Sequence, residues 1–353
     1  MAKTIMIMAG GTGGHVFPGL AVADELRERG WHVVWLGAPG GMEAMLVPKR
    51  GYEMAWAPFA GLRGKGLVPL VLLPLRLLLA LWHAARAIFA RRPDVLLGMG
   101  GYQSFPGALA AWLLHRPLVI HEQNSVAGLA NRVLARIADR VLCAFPDALR
   151  NATVTGNPVR QDIAALPAPS QRYAARSGSL NLLVIGGSLG ASVLNDTVPR
   201  ALALMPPERR PKVTHQSGSA HIDALAQRYR DAGVSVSAVA FIDDMASAYA
   251  DADVVLCRAG ALTVSELAAA GVASILVPFP HAVDDHQTGN ARHLAVAGAA
   301  ILLPQTQLKP ERLAGTLLEL SREQLRDMAD KARALARPDA TLAVARACME
   351  VAG

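Results

Sequence analysis

The same local pattern opens both halves of this 353-residue chain: a short apolar run, a cluster of glycines, then residues at helical spacing. It reads TIMIMAGGTGGHVFPGLAVADEL from residue 4 and LNLLVIGGSLGASVLN from residue 180. Glycine lets a strand turn sharply into a helix and lets the backbone come close to a ligand. Further apolar runs follow: HVVWLG, DVLLGMGG and PLVIHE in the first half, then KVTHQSG, VSVSAVAFI, DVVLCRAG, SILVPFP and AAILLP in the second. Helical spacing covers 16–29, 105–114, 127–137, 219–232, 245–250, 263–270, 287–297 and 310–335. Strands buried on both faces read as continuous apolar runs, and their alternation with helices predicts parallel sheets covered on each side. Between the halves, Pro167, Pro169, Ser170, Ser177, Gly178 and Ser179 supply the punctuation of a domain boundary. The expected fold class is α/β, with two doubly wound domains, 1–160 and 161–338, followed by a helix within 339–353. Ligands in such sheets bind outside the carboxyl ends of the strands, so a cleft between facing domains is the expected site.

Composition narrows the class. With 52% hydrophobic and 18% charged residues, the chain has the interior of a globular protein and excludes disordered, collagenous and coiled-coil architectures. Cys143, Cys257 and Cys348 are odd in number and lack CxxC spacing, which fits a reducing compartment and speaks against a zinc site. The opening MAKTIMIMAGGTGG lacks the long apolar region and cleavage site of an export signal, so no export is expected. The net charge of +7 is uneven: residues 1–160 hold 17 Lys and Arg against 9 Asp and Glu, and residues 161–353 hold 18 against 19. A basic first half suits an anionic partner such as phosphates or an acidic membrane surface; the alternative is a surplus of solvated arginine. Nucleic acid is not expected, because 5 Trp, 5 Tyr and 7 Phe are unclustered and no nucleic-acid-binding motif is present.

The segment 67–90, LVPLVLLPLRLLLALWHAARAIFA, is interrupted by Pro69, Pro74, Arg76, His83 and Arg86, so it is not expected to span a bilayer. On a helix, Arg76, His83 and Arg86 share one side with Leu72, Leu75 and Leu79. Two readings stand: an interfacial surface that enters lipid, or a core helix covered on nearly all sides.

Three glycine turns carry candidate chemistry. In Gly10-Gly11-Thr12-Gly13-Gly14-His15, free N–H groups at a helix start suit a phosphate. Val16 stands where a dinucleotide fingerprint needs its third glycine, and no Walker lysine follows. His15 closes this loop as a candidate base, or as a capping or packed histidine. Gly186-Gly187-Ser188-Leu189-Gly190-Ala191 reads as a diphosphate cradle. In Cys257 to Glu266, Glu266 falls in the first turn of the expected helix, either as a favourable dipole partner or as an acceptor for ribose hydroxyls. Asp243-Asp244 and Asp284-Asp285-His286-Gln287 admit metal binding or plain surface hydrogen bonding. His121-Glu122-Gln123-Asn124 ends a strand where ligands bind, and Arg160 is placed to clamp a phosphate or to remain a solvated linker charge.

Together GGTGGHVFPGLAVA, GLRGKG, LLGMGGYQSFPG, HEQNSVAGLANR, VTGNPVR, GGSLGA, FIDDM, CRAGALTVSE and DDHQTGNA, in this order from Gly10 to Ala291, closely resemble the MurG family of bacterial N-acetylglucosaminyltransferases. The resemblance implies a GT-B fold, two Rossmann-like domains facing across a deep cleft, with the 339–353 segment crossing back onto the first domain. It implies an inverting transfer of GlcNAc from UDP-GlcNAc to the C4 hydroxyl of MurNAc in lipid I, giving lipid II and UDP in peptidoglycan synthesis. The first domain would then serve the acceptor and the membrane, and the second would bind UDP-GlcNAc. Carried over by position, His15 is the general base, and Thr12, Gly13 and Gly14 close the site from the acceptor domain. Ser188 and Arg160 meet the diphosphate, Ile242 the uracil through its backbone, Glu266 the ribose, and Ala261, Leu262, Thr263, Val264 and Ser265 the phosphates. Gln287 and Asn124 bind sugar hydroxyls. No cofactor and no site-bound metal are implied. The implied setting is peripheral, on the cytoplasmic face of the inner membrane, with an anionic lipid surface and other cell-wall synthesis and division proteins as partners. Trp112, Arg136 and Arg140 join the 67–90 segment as candidate membrane contacts. Rival readings are another GT-B enzyme on UDP-GlcNAc, such as a 2-epimerase or a soluble-acceptor transferase, and a nucleotide-sugar binder or membrane scaffold without turnover.

Overall fold

The computed structural model describes residues 2–59, 72–187 and 190–353. GLRGKG, residues 67–71 of the apolar segment, Ser188 and Leu189 lie outside the described residues. The chain divides into two compact units, Met1–Arg160 with Arg337–Gly353, and Gln161–Ala336.

The first unit contains β1 (Thr4–Met8), α1 (Gly13–Glu28), β2 (His32–Gly37), α2 (Met42–Lys49), β3 (Glu53–Trp56), α3 (Leu73–Arg91), β4 (Val95–Gly98), α4 (Ser104–Leu113), β5 (Leu118–Glu122), α5 (Leu129–Leu134), β6 (Arg140–Cys143) and β7 (Thr153–Val154). Its seven strands lie in the order β3-β2-β1-β4-β5-β6-β7, all parallel. The order reverses between β1 and β4, so the loops leaving these strands diverge and open a crevice at their carboxyl ends. Side chains alternate across β1: Ile5 and Ile7 pack with α1 and the C-terminal helix, while Met6 and Met8 face α3 and α4. The C-terminal helix Ala340–Val351 puts Val344, Ala345 and Cys348 into the first unit's core.

The second unit holds α6 (Gln161–Ala164), α7 (Pro169–Ala174), β8 (Asn181–Ile185), α8 (Ser192–Ala203), β9 (Lys212–Gln216), α9 (Ile222–Asp231), β10 (Ser237–Val239), α10 (Met245–Asp251), β11 (Val254–Cys257), α11 (Ala261–Ala270), β12 (Ala273–Leu276), α12 (His286–Ala295), β13 (Ala300–Leu302), α13 (Pro310–Glu319) and α14 (Arg322–Ala334). Its parallel sheet, β10-β9-β8-β11-β12-β13, reverses between β8 and β11, so each unit has the same switch point. The single helix expected over 310–335 is two. Ser321 accepts from the Gln324 amide at 3.2 Å and the Gln324 side chain accepts from the Ser321 amide at 2.9 Å, a capping box that starts a new helix. Helix α1 begins at Gly13, three residues before the apolar periodicity, because glycines in its first turn give no hydrophobic signal.

Helix α3 speaks against one of the two readings of the apolar segment. It buries Ala80, Ala84, Ala87 and Ile88 and leaves Leu75, Leu78, Leu79, Trp82 and Phe89 exposed. Its buried face is mostly alanine and several of its largest side chains face outward, so it is not a core helix covered on nearly all sides. By length and composition its 19 residues suffice to cross a membrane, but Ala84, Ala87 and Ile88 belong to the core beneath the sheet. Crossing would strip that face from the domain.

Candidate active site

In the first unit, the switch-point loop leaves β1 through Gly10 and Gly11, the latter at φ +86°. Thr12 enters α1 with extended backbone (φ −130°, ψ 157°) and no side-chain cap. Its carbonyl accepts from the amides of His15 and Val16 at 3.1 and 3.2 Å. The amides of Gly13 and Gly14, at the start of the helix, have no intrahelical partner and suit an anion. Glu43, wholly buried in the first turn of α2, accepts from the Gly11 amide and the Ala38 amide, both at 3.1 Å, and so ties the loop to the end of β2. A Cβ on Gly10 would stand 2.5 Å from Glu43 Oε1 and 2.8 Å from Gln103 Oε1, so close packing requires glycine there.

His15 is held from the end of β5. Its Nδ1 donates to Gln123 Oε1 at 3.0 Å. Gln123 Nε2 donates to His121 Nδ1 and to the His121 carbonyl, each at 3.1 Å, and His121 Nε2 donates to the Gly156 carbonyl at 2.9 Å. His121 is completely buried, and desolvation pushes its imidazole down to about 4. Gly100, at φ +84°, closes over this chain; a Cβ there would lie 2.8 Å from His15 Nδ1 and 3.1 Å from Gln123 Oε1. Glu122 accepts from the Asn124 amide at 2.9 Å and from Asn131 Nδ2 at 2.9 Å, which fixes the loop carrying Asn124 to α5. Arg160 stacks its guanidinium 5.8 Å from the ring of Phe17, on the turn of α1 next to His15. The structure thus gathers Thr12, Gly13, Gly14, His15, Asn124 and Arg160 around the loops after β1 and β5.

The second unit repeats the arrangement with different groups. Buried Gln216 accepts from the Gly186 amide at 3.2 Å and donates to the carbonyls of Gly187 and Ala240 at 3.0 and 3.2 Å, bracing the glycine turn after β8. Gly190 lies so close to the Ser217 carbonyl that no Cβ fits. Ser188 belongs to this turn in sequence but lies outside the described residues. After β11, Gly260 caps α11 without a side-chain bond, and Ala261, Leu262 and Thr263 make up the first turn, the kind of helix start that suits an anion. Val264 and Ser265 continue the same turn, and Ser265 Oγ bonds back to the Ala261 carbonyl at 3.0 Å.

Glu266 corrects the sequence expectation. Because α11 begins at Ala261, Glu266 is its sixth residue and lies beyond the first turn. It is buried and accepts from the Tyr249 hydroxyl at 3.1 Å, so capping is not its role. Ile242 lies half-buried between β10 and α10. Asp244 caps α10 by accepting from the Ser247 amide at 2.9 Å. Gln287 Oε1 accepts from the Phe279 amide at 2.9 Å, which turns its Nε2 away as a donor. Asp285 accepts from Thr288 Oγ1 at 2.6 Å. Among the described residues, no group of three or more His, Cys, Asp and Glu stands where it could hold a metal ion.

Three contributors were missed as site residues in the sequence. Gln123 lies within the strand-end motif and was visible there as one of four polar residues. Glu43 and Gly100 gave no signal, because burial and close approach set their roles.

The chain matches the N-terminal domain of glycosyltransferase family 28 over residues 5–143 and its C-terminal domain over residues 181–345. It is 60% identical, over all of both chains, to the UDP-N-acetylglucosamine–N-acetylmuramyl-(pentapeptide) pyrophosphoryl-undecaprenol N-acetylglucosamine transferase of Dechloromonas aromatica. It is 64% identical to the transferase of the same name from Azoarcus sp., over 99% of this chain and 98% of that one. Among solved structures it is similar to Acinetobacter baumannii MurG, with a TM-score of 0.86, 41% identity and 99% of each chain covered.

Proposed function

The chain belongs to glycosyltransferase family 28, among its MurG members of GT-B fold, and from that premise we infer that it transfers GlcNAc from UDP-GlcNAc to lipid I, forming lipid II and UDP. The acceptor atom in this reading is the C4 hydroxyl of MurNAc, and the displacement inverts the anomeric centre. The bond from that oxygen to C1 of GlcNAc forms as the bond from C1 to the diphosphate oxygen breaks. The hydroxyl proton goes to the enzyme, and the electron pair leaves with UDP.

His15 carries the chemical part of this reading, being an imidazole at the mouth of α1 that is anchored, among the described residues, through one ring nitrogen. It takes the acceptor proton. Gly13, Gly14 and Thr12 border the acceptor. Charge developing on UDP is taken up by the helix-start amides of Ala261 to Thr263, by Arg160 and by the Ser188 turn, with Val264 and Ser265 completing the phosphate-binding turn. Glu266 accepts from ribose hydroxyls, Ile242 offers backbone to uracil, and Gln287 and Asn124 meet the sugar. These groups already supply charge stabilisation at the diphosphate, so the reading assigns no cofactor and no resident metal.

A lipid-linked acceptor implies membrane association. We read the protein as peripheral on the cytoplasmic face, with the exposed side of α3 entering lipid and Trp112, Arg136 and Arg140, also exposed, meeting anionic headgroups. The test is transfer of labelled GlcNAc to a lipid I analogue in EDTA, comparing wild type, His15→Ala and reactions without acceptor. Acceptor-dependent disaccharide-lipid that falls by about 10²-fold or more in the variant is expected of a general base. Failure of wild type to label the lipid would overturn the reading.

A further inference from the structure

We propose that Gln123 is a positioning residue that fixes the tautomer of His15, so that Nδ1 carries the proton and Nε2 presents the lone pair to the acceptor hydroxyl. This rests on the reading of His15 as the base, and it follows from what each atom can donate. A backbone carbonyl only accepts. The Gln123 carboxamide has one end 3.1 Å from the His121 carbonyl, so that end is its NH₂. The other end, the oxygen, then lies 3.0 Å from His15 Nδ1. An amide oxygen also only accepts, and His15 Nδ1 is therefore the protonated nitrogen.

The far end of the chain is fixed in the same way. His121 Nε2 faces the Gly156 carbonyl at 2.9 Å, so it donates, and His121 Nδ1 is left to accept from Gln123 Nε2 at 3.1 Å. Burial keeps His121 neutral, so that nitrogen remains an acceptor at working pH. The relay thus ends on two backbone carbonyls, and the peptide chain itself determines its polarity. Among the described residues, His15 Nε2 has no hydrogen-bond partner. Gly100 lies against the His15–Gln123 bond: any Cβ there would press on both partners.

The consequence is specific. An imidazole free in water exchanges between tautomers, and only the form with a bare Nε2 can take a proton on the outward side. Removing the Gln123 acceptor leaves His15 in place but lets its proton occupy Nε2. Gln123→Leu removes both ends of the carboxamide. Gln123→Glu has the shape of the glutamine and keeps one oxygen toward Nδ1, while the single proton of its carboxylic acid replaces one of the two bonds that the Gln123 NH₂ makes to His121.

The experiment is ¹⁵N NMR of protein labelled at histidine, with His15→Ala assigning the His15 ring signals, in wild type, Gln123→Leu and Gln123→Glu. It is paired with kcat and KM measured with UDP-GlcNAc and a lipid I analogue. In wild type, Nδ1 is expected to be protonated and Nε2 bare. Gln123→Leu is expected to lose that preference and about 10²-fold in kcat, within the range of general acid–base catalysis, with little change in KM for the donor. Gln123→Glu is expected to recover at least a tenth of wild-type kcat along with the tautomer. A merely structural role would move neither the ring signals nor the rescue. A proton on Nε2 in wild type, or a tautomer unchanged in Gln123→Leu, would overturn the proposal. The spectrum needs no substrate, so it decides the relay even if wild type transfers no sugar, the result that would defeat the reading of the reaction.

Discussion

Replacing Leu75 and Leu79 by serine should release the protein from membranes without loosening its fold. The two leucines are 57% and 52% exposed on α3, so serine there removes almost no core packing. Full burial of a leucine is worth about 1.5–3 kcal/mol, and slightly more than half of each side chain is available to enter lipid, or about 1–1.5 kcal/mol apiece. The pair then contributes about 2–3 kcal/mol, a roughly 30- to 150-fold weaker partition. Co-sedimentation with phosphatidylethanolamine and phosphatidylglycerol vesicles at several salt concentrations measures it. Arginine attraction to headgroups is screened by salt and should survive in the variant, so the loss should appear as a salt-independent offset. Unchanged melting and donor affinity mark an intact fold. A variant that sediments like wild type at every salt concentration would refute the docking of this helix face.

Other substitutions test the site. Gly100→Ala places a methyl group 2.8 Å from His15 Nδ1 at φ +84°; kcat should fall by about tenfold or more, as general acid–base catalysis weakens, with donor affinity intact, and equal losses in both would indicate general damage. Glu43→Gln sets an NH₂ against one of two backbone donors, destabilising the first unit by about 1–3 kcal/mol, read by calorimetry; an unchanged transition counts against the bracing role. Glu266→Ala should weaken UDP-GlcNAc binding by roughly 10- to 100-fold through lost charge-assisted hydrogen bonds, measured by calorimetric titration, whereas an effect confined to kcat would remove it from the ribose. Acid should also destabilise both units. His121 and His215 are held down to about 4 and about 3 by burial, below the unfolded value of 6.5. Below pH 6.5 the unfolded chain therefore binds protons that the folded chain refuses, and stability falls as pH drops. Urea unfolding should show about 2 kcal/mol lost per histidine between pH 7.5 and pH 5; a gain over that window would contradict it.

The strand positions were legible because buried parallel strands are apolar throughout: HVVWLG is β2 residue for residue, and PLVIHE contains β5. Strands at or next to the sheet edges were not. EMAW, RVLC and TV form β3, β6 and β7, but short strands with charged or small residues carry little pattern. Glycine obscured helix starts at Gly13 and Ala261, and with the latter the place of Glu266 in its helix. The orientation of α3 was beyond periodicity, since a helix with alanine inside and leucine outside has the same spacing as its inverse. Glu43, Gln123 and Gly100 act through burial and contact across 32 or 108 residues of sequence or through a missing Cβ, none of which a linear pattern records.

The two glycine turns at the switch points set different groups on the same architecture. Aligned on their first glycines, GGTGGH and GGSLGA place His15 opposite Ala191. Both turns are braced from beneath by a buried glutamine, but the braces end differently. Gln216 spends its oxygen on the Gly186 amide and its nitrogen on the carbonyls of Gly187 and Ala240, so it fixes only backbone. The sequence of this turn, GGSLGA, carries no basic side chain, which suits a diphosphate. Gln123 instead anchors its nitrogen on His121 and gives its oxygen to His15, so its brace orients a side chain that can take a proton. On the proposed reading, a base at position 191 would bring a lone pair toward anionic phosphate, while alanine at position 15 would leave the acceptor hydroxyl without a proton sink. In that reading the division of labour between donor and acceptor halves rests on a single position in the repeat and on the amide that serves it.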